Sequence, residues 1–459
     1  MEKYVNKKQN IIILCLILLI ICVCIGITYA YFSSTKTSGE KNIRTGNINI
    51  KYTEDVNVIN IDTNKTPILD ADYETSASKL NFTISNEGTL KGYSTIKMNV
   101  TYTDGTDNGA VVTDSAKTSD YRWALKRDGQ NISAGTFASG DTEIIISNME
   151  VFNLDDIKNY TLYVWASETW QDQSSLKQSG LTVAINIEST NTQSDTLTSK
   201  ILGDNYSNVL TGSYDVTNDF TCTDTECTKN YTNGLYKSDK TNNGYPTYYY
   251  RGEVENNYVK FANYASSGSY TYKNLDANNT YSYTNGNNIL WRVVRVNEDK
   301  TVRLISENVT SSSGNINDAE TNLNTFYNSN LKSHEDKISI QNYCTDDYRY
   351  AYNRVNESAP TFECENAISN YKKYGSITLD ELAFSGSYTN SLYTVSRSYL
   401  NNGSWFYTTS KNSLLNPSTN LITSDQNLDS SSTRIVINLK ADALVSSGDG
   451  SMSNPWIIK

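Results

Sequence analysis

Apolar side chains fall at every second position in stretch after stretch between Gly46 and Ile187. That period of two confines this part of the chain to β-strands with one buried face, because successive strand residues point to opposite sides. Ile48, Ile50 and Tyr52 share one face, as do Leu80, Phe82 and Ile84, and Leu181, Val183, Ile185 and Ile187. Ile96–Tyr102, Glu143–Ser147 and Tyr160–Ala166 follow the same pattern. Turn chemistry separates these runs at Asn86–Gly88, Asp104-Gly105, Asp107–Gly109 and Asp128-Gly129. Strands so spaced, with little helical periodicity between them, predict an antiparallel sandwich over residues 40–190. A total of 35 Tyr against 5 Pro fits a mainly β chain.

A different pattern precedes it. Lys3, Lys7 and Lys8 stand before an unbroken apolar run from Ile11 to Ile27, and small residues follow at Thr28 and Ala30. This three-part layout is that of a secretory signal with cleavage after Ala30. As a helix the run would span roughly 26 Å at about 1.5 Å per residue, just under the hydrocarbon thickness, so residues 1–30 could equally remain as a membrane anchor. In both cases the lysines stay inside and the chain from Tyr31 onward faces out. The expected location is therefore the cell surface or the extracellular space.

Charge and cysteine usage narrow the function classes. The formal net charge is −11, and removing residues 1–30 makes it more negative because Lys3, Lys7 and Lys8 leave with only Glu2. Nucleic acid is not an expected partner, since binding it requires a basic surface. Cys15, Cys22 and Cys24 lie in or beside the apolar run, whereas Cys222, Cys227, Cys344 and Cys364 lie beyond it. Four exported cysteines predict disulfides, with proximity favouring Cys222–Cys227 and Cys344–Cys364 among three possible pairings. Their spacings are not those of a zinc ribbon, and neither a metal nor a cofactor is expected.

The junction Ile27-Thr-Tyr-Ala-Tyr-Phe-Ser-Ser-Thr-Lys-Thr37, followed by Gly46-Asn-Ile, resembles the export signal and first strand of the TasA/camelysin family of biofilm-matrix proteins. Asn81–Gly88 and Tyr160–Ala166 resemble internal strands of the same group. The resemblance covers about a third of the chain. It implies a jelly-roll sandwich, a dedicated signal peptidase, and fibre growth in which Tyr31–Tyr52 of one subunit completes the sheet of the next. Camelysin's protease label finds no support here: there is no His-Glu-x-x-His, and no histidine precedes Ser333.

Residues 191–230 are rich in Ser, Thr, Asn and Asp and read as a linker. Residues 231–459 then predict an α+β domain with one or two short helices. Leu290–Val296 and Thr301–Ile305 form a hairpin joined by Asn297–Lys300. A helix over Asp318–Leu331 carries Leu323, Phe326, Tyr327 and Leu331 on one face, and a shorter one is expected at Leu379–Phe384 after Thr378. This half resembles uncharacterised surface domains of Gram-positive gut bacteria, in Tyr248–Gly252, Leu290–Val296, Tyr343–Asp346, Thr378–Ala383 and Val436–Leu439 with Gly448–Pro455. Its order of elements also resembles, as a fold analogy, the C-type-lectin-like fold.

Candidate sites are few. The sole histidine, His334, sits where a cation would cap a helix C-terminus. Asp380 with Glu381, or Asp346 with Asp347, could suggest carboxylate glycoside hydrolysis, but acidic neighbours on an acidic surface are ordinarily solvated and rarely face one bond from two sides. Asp442, Asp449 and Gly448–Gly450 read as a turn rather than a calcium loop. Tyr248, Tyr249 and Tyr250 are consecutive on a strand and cannot all face one core. Tyr248, Tyr250 and Trp405 are therefore the expected binding face, suited to a glycan or protein ligand. The sequence thus predicts a non-catalytic, exported surface or matrix protein with no catalytic residues. A membrane-tethered monomeric adhesin is the alternative, and a glycoside hydrolase a distant third.

Overall fold

A computed structural model describes residues 41–45, 48–61, 66–104, 121–137, 142–168, 179–190, 195–203, 206–213, 220–222, 227–274, 277–308, 310–311, 316–344, 360–364, 371–386, 406–407, 414–415, 422–423 and 432–459. The architecture is mainly β, with several antiparallel sheets.

The first unit contains β1 (Lys41–Thr45), β2 (Ile48–Glu54), β3 (Ile59–Ile61), β4 (Ser78–Asn86), β5 (Gly92–Asp104), β6 (Tyr121–Arg127), β7 (Gln130–Thr136), β8 (Glu143–Phe152), β9 (Ile157–Ala166) and β10 (Ser179–Thr190). They form one sheet in the order β1-β2-β4-β9-β6-β7 and another in the order β3-β10-β5-β8. Inward residues of both sheets share one core, and the alternating sets predicted from sequence lie in it: Ile48, Ile50 and Tyr52; Leu80, Phe82 and Ile84; Leu181, Val183, Ile185 and Ile187. Each such side chain contributes roughly 1.5–3 kcal/mol by leaving water. β1 and β2 pair within the same chain, Lys41 opposite Tyr52, so residues 41–45 and 48–52 of the expected donor segment already occupy their own sheet.

Strands β6 and β7 break the simple alternation. Trp123 and Leu125 enter the sandwich core, while Ala124 on the opposite face is also buried, in a second cluster with Ala134, Tyr163, Trp165, Tyr73 and Tyr245. Tyr245 belongs to the second unit, and its hydroxyl lies 3.1 Å from that of Tyr73. The outer face of the sandwich is covered there.

The second unit is built on β13 (Gly234–Ser238), β14 (Thr247–Arg251), β15 (Tyr258–Asn263), β18 (Asn288–Val296) and β19 (Val302–Ser306), preceded by the hairpin β11 (Phe220–Cys222) and β12 (Cys227–Lys229) and interrupted by the hairpin β16 (Gly268–Asn274) and β17 (Ala277–Tyr283). The sheet runs Tyr374–Gly375, Val436–Leu439, β19, β18, β15, Trp456–Ile458, Val445–Ser447, with β14 also pairing with β18 and β13 with β14. The predicted β18–β19 hairpin is present: Asn297 N–H donates to Thr301 C=O at 2.8 Å, with Lys300 in the left-handed region at φ 67°. The long helix spans Ile316–Asn330 and lays Leu323, Phe326 and Tyr327, with Leu331 just beyond, against the sheet as predicted. The short helix spans Leu379–Phe384.

Part of the expected linker is not one. Leu197–Leu202 is a helix whose N-cap Thr196 accepts from Ser199 N–H, and Leu197, Ile201 and Leu202 belong to the second core. Its apolar stripe is only six residues long and sits in a Ser/Thr-rich stretch, which hides it from a composition reading.

The two units meet where the β18–β19 tip reaches the edge strand β7. Ala134 N–H donates to Glu298 C=O at 3.3 Å. Gly135 permits the approach, because a Cβ there would lie 2.9 Å from Trp123 and 3.1 Å from Asp299. Nearby, the Asn148 amide donates to Ala441 C=O at 3.0 Å and Thr196 Oγ1 at 3.2 Å.

Candidate functional site

Strand β14 is buried along its whole length, which overturns the expected binding face. Tyr248 and Tyr250 enter the second core, 5% and 4% exposed. Tyr249 enters a separate cluster on the other side with Tyr236, Phe362 and Phe384, its ring 4.8 Å from Phe384. The rule that neighbours point to opposite faces holds; the inference that one face must be open fails, because a second aromatic layer covers it. Trp405 lies outside the described residues.

That covering layer hangs on charges. Glu381 was expected to be solvated beside Asp380, yet both are buried. Thr378 Oγ1 accepts from Glu381 N–H at 3.0 Å and Glu381 Oε2 accepts from Thr378 N–H at 3.0 Å, a capping box that aims the carboxylate inward. Glu381 Oε1 then meets Arg303 Nε at 2.6 Å and Arg295 Nε at 3.1 Å. Asp380 Oδ1 accepts from Thr361 N–H at 2.9 Å. Burial holds the Arg303 guanidinium below its usual range, opposed by Glu381. On the same sheet, Glu307 stands 3.5 Å from both Arg292 and Arg434. Both carboxylates of the Asp380-Glu381 pair are engaged inside the fold; Asp346 and Asp347 lie outside the described residues.

A cleft of about 120 Å³ opens where the two units meet. The sandwich wall offers Asp70, whose Oδ1 accepts from Trp165 Nε1 at 2.7 Å and whose Oδ2 lies 3.9 Å from Arg122 Nε. Opposite, Arg295 Nη1 lies 3.5 Å from Glu298 Oε2, and its guanidinium sits 4.8 Å from the centre of the Phe362 ring. Asp299 accepts from Thr301 N–H at 3.0 Å, from Thr301 Oγ1 at 2.6 Å, and from the Gln341 amide. Burial pushes the Glu298 carboxyl upward, partly offset by Arg295. Each wall thus carries an arginine paired with a carboxylate.

The Cys344–Cys364 disulfide forms part of the lining, with its Cα atoms 5.2 Å apart. It fastens the segment bearing Phe362, which is also tied down by Phe362 N–H to Lys240 C=O at 2.8 Å and by Cys364 N–H to Asn242 Oδ1 at 3.0 Å. Cys222 stands opposite Cys227 in the register of the β11–β12 hairpin. The signal for this site was present in Leu290–Val296, where Arg292 and Arg295 interrupt an otherwise apolar strand. Charges in a core strand need buried partners.

The remaining candidates fall as follows. His334 lies in the helical turn Lys332–Lys337 just after the long helix, its ring 5.7 Å from Phe261. Asp449 Oδ1 accepts from Ser451 N–H at 2.9 Å, the turn expected there. Among the described residues no His/Cys/Asp/Glu group is placed to hold a metal ion, and no helix is long and apolar enough to cross a membrane. Ile11–Ile27 and Ala30 lie outside the described residues.

No protein-family model matches the chain, and no curated protein matches it. Among solved structures, 35% of the chain is similar to a GH31 alpha-xylosidase from Xanthomonas citri at 10% identity and a TM-score of 0.10, spanning about a fifth (20%) of that enzyme's chain. A likeness this slight carries no argument about fold or activity.

Proposed function

We propose that this is an exported, non-catalytic cell-surface or extracellular-matrix protein, in which a jelly-roll sandwich supports an α+β unit and the cleft between them receives the ligand. The observation that carries the proposal is the Cys344–Cys364 disulfide in the cleft lining. Disulfides persist in oxidising compartments, and this one secures a wall of the cleft rather than a remote loop. The leader before Tyr31, the acidic charge and the TasA-like junction support the same reading. Fibre assembly through the N-terminal strand is part of it; the β1–β2 hairpin is then the element that exchanges between subunits.

Labelling intact cells with a membrane-impermeant amine reagent, followed by N-terminal sequencing of the labelled protein, tests this. Surface labelling with Tyr31 as the first residue supports the matrix form, and labelling with an intact Met1 supports the tethered adhesin. A protein protected from the reagent in intact cells, with free thiols at Cys344 and Cys364, overturns both.

A further inference from the structure

We infer that the Cys344–Cys364 disulfide is a redox latch on the docking of the two units: oxidised, it holds them together, and reduction by an external dithiol lets them part. The second unit touches the sandwich at two points that this bond joins. The first is the β18–β19 tip, where Ala134 N–H meets Glu298 C=O and Gly135 admits Asp299. Behind that tip the Gln341 amide donates to Asp299 and, at 3.3 Å, to Thr301 Oγ1, and Cys344 ends the same short segment. The second point is Tyr245, whose hydroxyl lies 3.1 Å from that of Tyr73, in the cluster with Tyr163 and Trp165. The loop that presents Tyr245 is backed by the Cys364 segment. Asn242 Oδ1 accepts from Cys364 N–H at 3.0 Å, the Asn242 amide donates to Cys364 C=O at 3.3 Å, and Lys240 C=O accepts from Phe362 N–H at 2.8 Å.

One covalent bond therefore sets the spacing of two noncovalent contacts. Contacts carried on one rigid body act together, because making the first places the second at high effective concentration. With the sulfurs separated, Cys344 and Cys364 stand 20 residues apart along the chain, and the two contacts are coupled only through noncovalent packing. A third contact lies outside the tie: the Asn148 amide reaches Ala441 C=O and Thr196 Oγ1, beside the entry of the chain into the second unit. It is the pivot about which the units part. The bond is also within reach of a reagent, since both cysteines line the cleft and both are only half-buried. A thiolate of the dithiol attacks one Sγ, forming a mixed disulfide while the other Sγ leaves as a thiolate. The dithiol's second sulfur then closes on the first and frees the remaining cysteine. Two electrons pass from the dithiol, which ends as a disulfide, to the two cysteines, which take up two protons.

Hydrogen exchange of the full-length protein with and without dithiothreitol tests this, with alkylation mass spectrometry of a parallel sample scoring Cys344 and Cys364 site by site. The Ala134 amide is the reporter, because its acceptor belongs to the other unit. Once both cysteines are reduced its exchange should quicken by about tenfold or more, and reoxidation should restore it, while β4 and β19 keep their protection. Cys344→Ser with Cys364→Ser should match the reduced protein without reagent, and Cys222→Ser with Cys227→Ser should behave as wild type. Unchanged exchange at Ala134 in fully reduced protein overturns the inference. So does loss of protection at β19, which would make the bond a staple of the second unit's own fold, and so does a Cys344–Cys364 bond that dithiothreitol cannot reach in the folded protein. The inference goes beyond the exported-scaffold reading, which cell labelling scores separately.

Discussion

The sandwich and the α+β unit use the same kind of strand in opposite ways. In the sandwich most strands hide one face and wet the other, as β2 and β4 do with strictly alternating apolar positions. In the second unit β14, β19 and Val436–Leu439 are buried at every residue. A sheet buried on both sides needs a second cover, and here that cover is two short pieces of chain, the Leu379–Phe384 helix and the disulfide-tied Phe362 segment. The sandwich is held by a core read directly from alternation, whereas the second unit's outer layer depends on a few specific polar and covalent ties.

This difference predicts where each unit breaks. Glu381→Ala leaves the buried Arg303 without its carboxylate and Arg295 with Glu298 alone, and should cost about 3–5 kcal/mol, seen as an early urea transition in the second unit. Glu143→Gln, which removes a partly exposed partner of Lys97 in the sandwich, should change stability by less than ~0.5 kcal/mol. Equal losses from the two substitutions would erase the contrast. Replacing Cys344 and Cys364 together by Ser should cost about 2–4 kcal/mol. Hydrogen exchange should rise around Phe362 and Phe384 while β4 and β9 keep their protection.

The junction between the units should respond to pH through Lys300. Burial lowers its ammonium to about 8 from an ordinary value of 10.5, opposed by Asp299, Glu298 and Glu150. On Lys300 the folded state therefore holds less proton than the unfolded chain between those values, so the Lys300 contribution to stability should rise with pH above about 8, by up to about 3 kcal/mol taken alone, until buried tyrosines such as Tyr160 and Tyr245, whose hydroxyls burial pushes upward, oppose it near pH 10. Lys300→Met should flatten that rise in denaturation titrations, and an unchanged slope would remove Lys300 as its source. A modest effect is expected from Thr378→Ala, about 1 kcal/mol, measurable as a shift of the urea midpoint with little change in slope.

Legibility followed the same divide. Leu80, Phe82 and Ile84, or Leu181 through Ile187, declared their sheet faces because half-buried strands alternate. The Ile316–Asn330 and Leu379–Phe384 helices were readable, one from the spacing of Leu323, Phe326, Tyr327 and Leu331, the other from Thr378. Tyr248 and Tyr250 misled because no local pattern shows that a distant segment, Pro360–Cys364, folds over the strand's other side. Asp380 and Glu381 misled for a related reason, since their partners, Thr361 for the first and Arg295 and Arg303 for the second, are distant in sequence. The cleft could not be read at all from spacing: its walls come from Asp70 and Arg122 on one unit and Arg295, Glu298 and Gln341 on the other, and only tertiary docking brings them together.

The tip of the β18–β19 hairpin, resting against β7, also bears on what this protein does in a crowd. Exposed sheet margins recruit strands from neighbouring molecules, and here Ala134 has its amide committed to Glu298 within the same chain. A newcomer arriving at that margin must first dislodge the hairpin, while β1 at the far margin has no such guard among the described residues. Any polymer nucleated by strand addition would therefore inherit a polarity, growing from one rim of the sheet and blunt at the other.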